Sequence, residues 1–215
     1  MQSETITVPA GIPLPCLWCS PKAPAALLVL AHGAGTRPEH PLMESIAQAL
    51  AGAGIATLRY PFPFALRGGA PDRPAVAVPA VQAVVRHAAS LGDAPLLAGG
   101  HSFGGRMTTL AAAEGLPVRG LVLLGFPLHA AGKPGTERAA HLPQIPQPML
   151  FCSGTRDALA EASLLSGVVD ALPQAALHWL EGADHQYRGP GKAGYMAEIA
   201  GAVRQFADRL AASPA

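Results

Sequence analysis

Gly100-His101-Ser102-Phe103-Gly104 places one hydroxyl between two glycines, each two positions away. A short apolar run, Leu96-Leu97-Ala98, leads into these residues, and a helix-like pattern starting at Phe103 leads out. That is the strand–turn–helix setting in which a serine is held up at positive φ on a sharp bend. Such a backbone state costs a non-glycine residue about 1–3 kcal/mol, which the surrounding fold has to offset. A side chain at either glycine is expected to collide with neighbouring backbone. With 24 glycines and nine serines in 215 residues, composition alone yields about 0.1 matches to Gly-x-Ser-x-Gly. The motif therefore needs partners elsewhere before it carries chemistry.

A serine hydroxyl is a weak nucleophile until an imidazole takes its proton, and an acid then fixes the imidazole tautomer and stabilises its cation. Residues of both types follow later apolar runs. Asp157 comes after Met149–Cys152 in Ser153-Gly154-Thr155-Arg156-Asp157, and His185 comes after Ala176–Leu180 in Glu181-Gly182-Ala183-Asp184-His185. The order Ser102, Asp157, His185, spaced about 55 and then 28 residues, suits a serine borne on this kind of bend. Attack on a carbonyl also creates an oxyanion that needs N–H donors. Phe103, opening the helix after the bend, supplies one candidate. Ala34, in His32-Gly33-Ala34-Gly35 after the run Ala26–Ala31, supplies the other. Asp157 has a second reading as the cap of a following helix, and Asp184 reads as a turn residue.

Bringing those loops together requires several strands ending on one edge. The chain offers short strands over Ile6–Val8 and Leu14–Cys19, then Ala26–Ala31, Ile55–Tyr60, Leu96–Ala98, Leu121–Leu124, Met149–Cys152 and Ala176–Leu180. Helical spacing of apolar residues marks Leu42–Leu50, Val78–Leu91, Phe103–Glu114, Leu159–Leu172 and Lys192–Leu210. Residues 65–74 read as a Gly/Pro/Arg loop, and 127–147 as a long irregular stretch expected to rim the site. Strand and helix alternate from residue 26 onward. That pattern predicts an α/β fold, a doubly wound, mainly parallel sheet with helices on both faces, in a single domain over 1–215.

The His-Gly loop, Gly-His-Ser-Phe-Gly-Gly, the Gly-Thr-Arg-Asp turn and the Ala-Asp-His turn, in that order along the chain, resemble the α/β-hydrolases over nearly the whole chain from about residue 26. The chain is most similar to the small branch around the dienelactone hydrolases, which lacks a large cap domain. Those enzymes use cysteine where this chain has Ser102, so serine chemistry is implied and dienelactone specificity is not. The resemblance implies a carboxylesterase-like serine hydrolase acting through an acyl-enzyme. The alternatives are an acyltransferase using the same residues and a non-catalytic binding protein on the same fold.

Phe62, Phe64 and Phe126, just past strand ends, are candidates for an apolar substrate pocket, together with His32, His101 and His129. His32 is also expected to order the oxyanion loop by hydrogen bonding. Arg106, one helical turn after Ser102, reads as half of a buried ion pair. The expected partner is a small-molecule acyl substrate. With 15 basic and 14 acidic residues, net charge +1 and no charge runs, nothing points to nucleic acid or a membrane surface. No signal peptide or membrane span is legible, which makes the cytoplasm the expected location. Cys16 and Cys19 form a lone C-x-x-C without a second pair, and no phosphate-loop or dinucleotide motif appears. Neither a metal nor a cofactor is expected.

Overall fold

Residues 3–9, 13–189 and 194–212 are described by a computed structural model of the chain. Strands β1 (Ser3–Pro9) and β2 (Pro13–Cys19) pair antiparallel, and β2 pairs antiparallel with β4 (Ile55–Tyr60). Every other pairing is parallel. Strand β3 (Ala26–Ala31) lies between β4 and β5 (Leu96–His101), followed by β6 (Gly120–Leu124), β7 (Met149–Gly154) and β8 (Ala175–Leu180). The order is β1-β2-β4-β3-β5-β6-β7-β8 among the described residues.

The sheet is sandwiched because its central strands are apolar on both faces. On β3, Leu27, Val29 and Ala31 pack with helices α3 (Pro74–Ala88), α4 (Phe103–Ala113) and α5 (Ala162–Asp170). The alternate residues Ala26, Leu28 and Leu30 pack with α1 (Pro41–Gly52) and α6 (Tyr195–Ala212) on the other side. Two layers of helix thus lock the register of β3 and β5, whose C-terminal ends carry the Ala34 loop and Ser102. Cys16 and Cys19 lie three positions apart on β2, so their side chains fall on opposite faces. Cys16 joins the core beneath α3, and Cys19 packs with Ala47 and Ala51 of α1.

Some boundaries differ from those expected of the sequence, each for a local reason. Residues read as loop contain a short helix, α2 (Pro63–Arg67): proline at its first turn presets φ, and buried Asp72 accepts from the Phe64 N–H (2.8 Å) and from Arg67. Helix α3 starts four residues before Val78, again at a proline, and carries Pro79 inside it. Strand β5 continues through Gly99 and Gly100 to His101 because the ladders to β3 and β6 continue there. Helix α5 opens at Ala162, since turns occupy the residues before it. The expected start of the last helix at Lys192 lies outside the described residues. The stretch 127–147 is held by two 3₁₀ turns, Glu137–Ala139 and Leu142–Gln144, with Ala139, Leu142 and Ile145 buried in the core. No helix among the described residues is long and apolar enough to cross a membrane.

The end of β3 and the start of α4 approach closely. A Cβ at Gly104 would lie 2.6 Å from both the Ala31 and His32 carbonyl oxygens, and one at Gly100 would collide with the Ala31 carbonyl. Gly167, on an exposed turn of α5, has nothing within 4 Å of the same position. Gly104→Ala is therefore expected to destabilise by about 1–3 kcal/mol through forced backbone shifts. Gly167→Ala is expected to stabilise by about 0.5–1 kcal/mol, because alanine loses less backbone freedom in a helix. Thermal unfolding of both variants checks this: opposite shifts in Tm are expected, and a neutral Gly104→Ala would contradict the packing.

Candidate active site

Ser102 sits between β5 and α4 with φ 52° and ψ −119°. Its N–H donates to the Leu124 carbonyl of β6 (2.8 Å), and its carbonyl accepts from the Arg106 N–H (3.1 Å). Serine at a helix N-cap normally spends its hydroxyl on a backbone N–H. Here it makes no such bond. Instead the Oγ lies 2.8 Å from His185 Nε2, and His185 Nδ1 lies 2.7 Å from Asp157 Oδ2. The carboxylate is fully buried, while the imidazole keeps 17% of its surface exposed. These distances bring Ser102, His185 and Asp157, from three different strand ends, into one line of hydrogen bonds. With Nδ1–H donating to the carboxylate, Nε2 is left as the acceptor that can take the hydroxyl proton.

Asp157 does not cap α5, whose N-cap is Glu161. Its second oxygen, Oδ1, accepts from the Leu159 N–H (2.8 Å), so both carboxylate oxygens are occupied. Asp184 points away from the imidazole and closes its own turn, with Oδ1 accepting from the N–H groups of Gln186 and Arg188.

Two backbone donors are free beside the hydroxyl. Neither the Phe103 N–H, at the first position of α4, nor the Ala34 N–H donates to another described residue. The Ala34 loop is braced on both sides. Thr36 Oγ1 accepts from the Gly33 N–H (2.9 Å), and the Nη1 of buried Arg59 donates to the Pro38 carbonyl (2.6 Å). His32 is fully buried; its Nδ1–H donates to the Gly33 carbonyl (2.8 Å), and its Nε2 accepts from the Phe62 N–H (3.0 Å). Burial, the larger influence, holds its pKa below the usual histidine range.

Five of the six residues expected to line a substrate pocket are instead buried in the framework. Phe126 packs edge-on against Phe151 in the core, and Phe62 is enclosed by His32, Tyr60, Phe64 and Phe103. His129, the most exposed of the five at 6%, ties two loops together: its Nε2 accepts from the Glu161 N–H (2.9 Å) and its Nδ1–H donates to the Ala130 carbonyl. The cleft beside the site, about 440 Å³, is lined by Ala34, Thr36, Arg37, His40, Phe64 and Gly68 among others. Position past a strand end thus pointed to Phe64 but could not separate it from Phe62 and Phe126, because exposure of this kind depends on tertiary packing.

His101 also acts in the framework. Its Nε2–H donates to the backbone carbonyl of His185 (2.9 Å), with the two rings 5.0 Å apart and Tyr187 packed edge-on behind. Tyr187 holds a positive φ of 58° in the same turn. The neighbouring position to Ser102 was the only sequence signal for His101, and it carried no hint of this bond.

A family model described as an alpha/beta hydrolase domain matches residues 24–212. Among solved structures, Est1E from Butyrivibrio proteoclasticus with ferulic acid bound is 20% identical, with TM-score 0.78 over 97% of this chain and 100% of that one. A dienelactone hydrolase from Anabaena variabilis is 21% identical, with TM-score 0.74 over 97% and 96%. An α/β serine hydrolase without a lid from Xanthomonas campestris is 20% identical, with TM-score 0.73 over 100% and 96%.

Burial, above all other influences, pushes the His101 pKa down to about 4 from an ordinary 6.5. The folded protein thus keeps His101 neutral while the unfolded chain protonates it, so its contribution to stability is present above about pH 6.5 and is lost as pH falls toward 4. The unfolding midpoint is expected to drop across that window, and to drop less in His101→Gln, which keeps an N–H donor but does not titrate. Thermal melts between pH 7 and 4 measure both; identical slopes would contradict the assignment.

Proposed function

The chain belongs to the alpha/beta hydrolase family, and from that premise we propose that it is a serine hydrolase cleaving carboxylic esters through an acyl-enzyme. Ser102 Oγ attacks the ester carbonyl as its proton passes to His185 Nε2. Asp157 holds the imidazole in the required tautomer and stabilises the imidazolium. The Ala34 and Phe103 N–H groups receive the charge that develops on the carbonyl oxygen, and donors of this kind are each worth about 10²–10³ in turnover. On collapse, the carbonyl reforms, the C–O bond to the alcohol breaks, and His185 returns the proton to the departing alkoxide. Water, deprotonated by the same nitrogen, then attacks the acyl-serine, releasing the carboxylic acid and restoring the Ser102 hydroxyl.

The observation that carries this reading is the Ser102 hydroxyl at 2.8 Å from His185 Nε2, directed to the imidazole and not to a helix cap. The cleft is shallow, mixed in polarity and bordered by Ala34 and Phe64. Small or exposed acyl groups suit it better than long chains. Hydrolysis of p-nitrophenyl esters from acetate to decanoate is expected to be fastest at the short end, and Ser102→Ala is expected to lose at least about 10³-fold in kcat. Equal rates in the wild type and the variant would refute the mechanism.

A further inference from the structure

Arg106 departs from its expected role. Among the described residues no carboxylate lies within 4 Å of its guanidinium, and its Nε is buried without a hydrogen-bond partner. The charge beside it has the same sign. Burial first, and then Arg138, hold the Arg106 pKa below its ordinary value, with no acidic residue acting against them. Arg138 is anchored to carbonyls alone, its Nη1 donating to His129 O (3.1 Å) and Pro127 O (3.5 Å). His141, on the same stretch, stands 2.8 Å from Thr109 Oγ1, and that hydroxyl donates to the Arg106 carbonyl. Burial and Arg106 lower the His141 pKa in turn. Glu114 bonds Gln82, and Glu161 bonds Ser163.

A half-buried guanidinium loses hydration and here receives no anion in return. Its planar fork matches a carboxylate in two parallel hydrogen bonds. The position is also informative. Arg106 lies four residues beyond Ser102, so the two Cα atoms are about 6 Å apart along α4. Arg138 is tied to the segment that leaves β6, the strand whose Leu124 carbonyl holds the Ser102 N–H. Both arginines keep part of their surface open to solvent.

We propose that Arg106, flanked by Arg138, is a subsite for a carboxylate carried by the substrate, so that the preferred esters are anionic. This rests on the reading of Ser102 as nucleophile. Phe103, three residues before Arg106 on the same helix face, separates this subsite from the cleft beside Ala34. The substrate then spans the hydroxyl, with its neutral part toward Phe64 and its charge toward Arg106.

Two matched pairs of esters test this, one with the charge on the acyl side and one with it on the alcohol side: mono-p-nitrophenyl glutarate against p-nitrophenyl valerate, and 3-carboxyphenyl butyrate against phenyl butyrate. The wild type is expected to prefer the charged member of at least one pair. In Arg106→Gln that preference should fall tenfold or more, mainly through KM. Arg106→Lys, which keeps the charge but loses the fork, should fall in between, and Arg138→Gln should lose a smaller part. Arg86→Gln, at an exposed position of α3, should keep the full preference. No preference for either charged ester, or a preference that survives Arg106→Gln, overturns the subsite. Failure of the wild type to hydrolyse any of the four overturns instead the reading of Ser102 on which it rests.

Discussion

Ser102 can hold φ 52° only because the backbone around it leaves no other course. Its N–H is committed to Leu124, its carbonyl to Arg106, and the glycines on either side are pressed against the end of β3. The strain, about 1–3 kcal/mol for such a residue, is offset by two apolar layers that hold β3, β5 and β6 in register. In return the side chain stands clear of its own helix. A relaxed serine at the same N-cap would turn its hydroxyl to the backbone and have no proton to offer His185.

The remaining site groups depend on that geometry through loops braced against one another. His101, next to the bend, holds the His185 carbonyl. His129 joins the start of the 127–147 stretch to the loop that presents Asp157, and Thr36 and Arg59 fix the loop carrying Ala34. Histidines thus serve two purposes here. Only His185 keeps an exposed edge beside the hydroxyl, whereas His32 and His129 are buried and spend both ring nitrogens on the framework, and buried His101 spends its Nε2 there. Buried nitrogens without a hydrogen-bond partner include His101 Nδ1, Arg59 Nε and Arg106 Nε; of these three residues only Arg106 is partly open to solvent, where an external anion can reach it.

The positions of Ser102, Asp157 and His185 were legible because each follows an apolar run, and parallel strands deliver their C-terminal ends to one edge. The strand Ala26–Ala31 was legible to the residue, as a continuous apolar run that follows Pro24-Ala25 and is closed by His32. Of the cleft's lining, Ala34 and Phe64 were legible and the rest was not. Phe62 and Phe126 follow strands as Phe64 does, yet only Phe64 reaches the cleft, and the difference arises from how α2 folds back under Asp72. Both glycines of β5 fell outside the strand expected at Leu96–Ala98; the crowding at Gly100 was legible from the serine motif, whereas that at Gly99, against the Val122 carbonyl of β6, was not. Arg106 read as half of an ion pair because burial of arginine usually implies a carboxylate. Its actual neighbour, Arg138, comes from a distant segment.

Treatment of the folded protein with a fluorophosphonate, followed by intact-mass and peptide analysis, asks most directly whether Ser102 is an activated nucleophile. A single adduct on Ser102 is expected, lost in Ser102→Ala and formed far more slowly in His185→Ala. Absence of an adduct in the folded wild type, or labelling at another residue, would contradict the account and leave the fold as a binding scaffold.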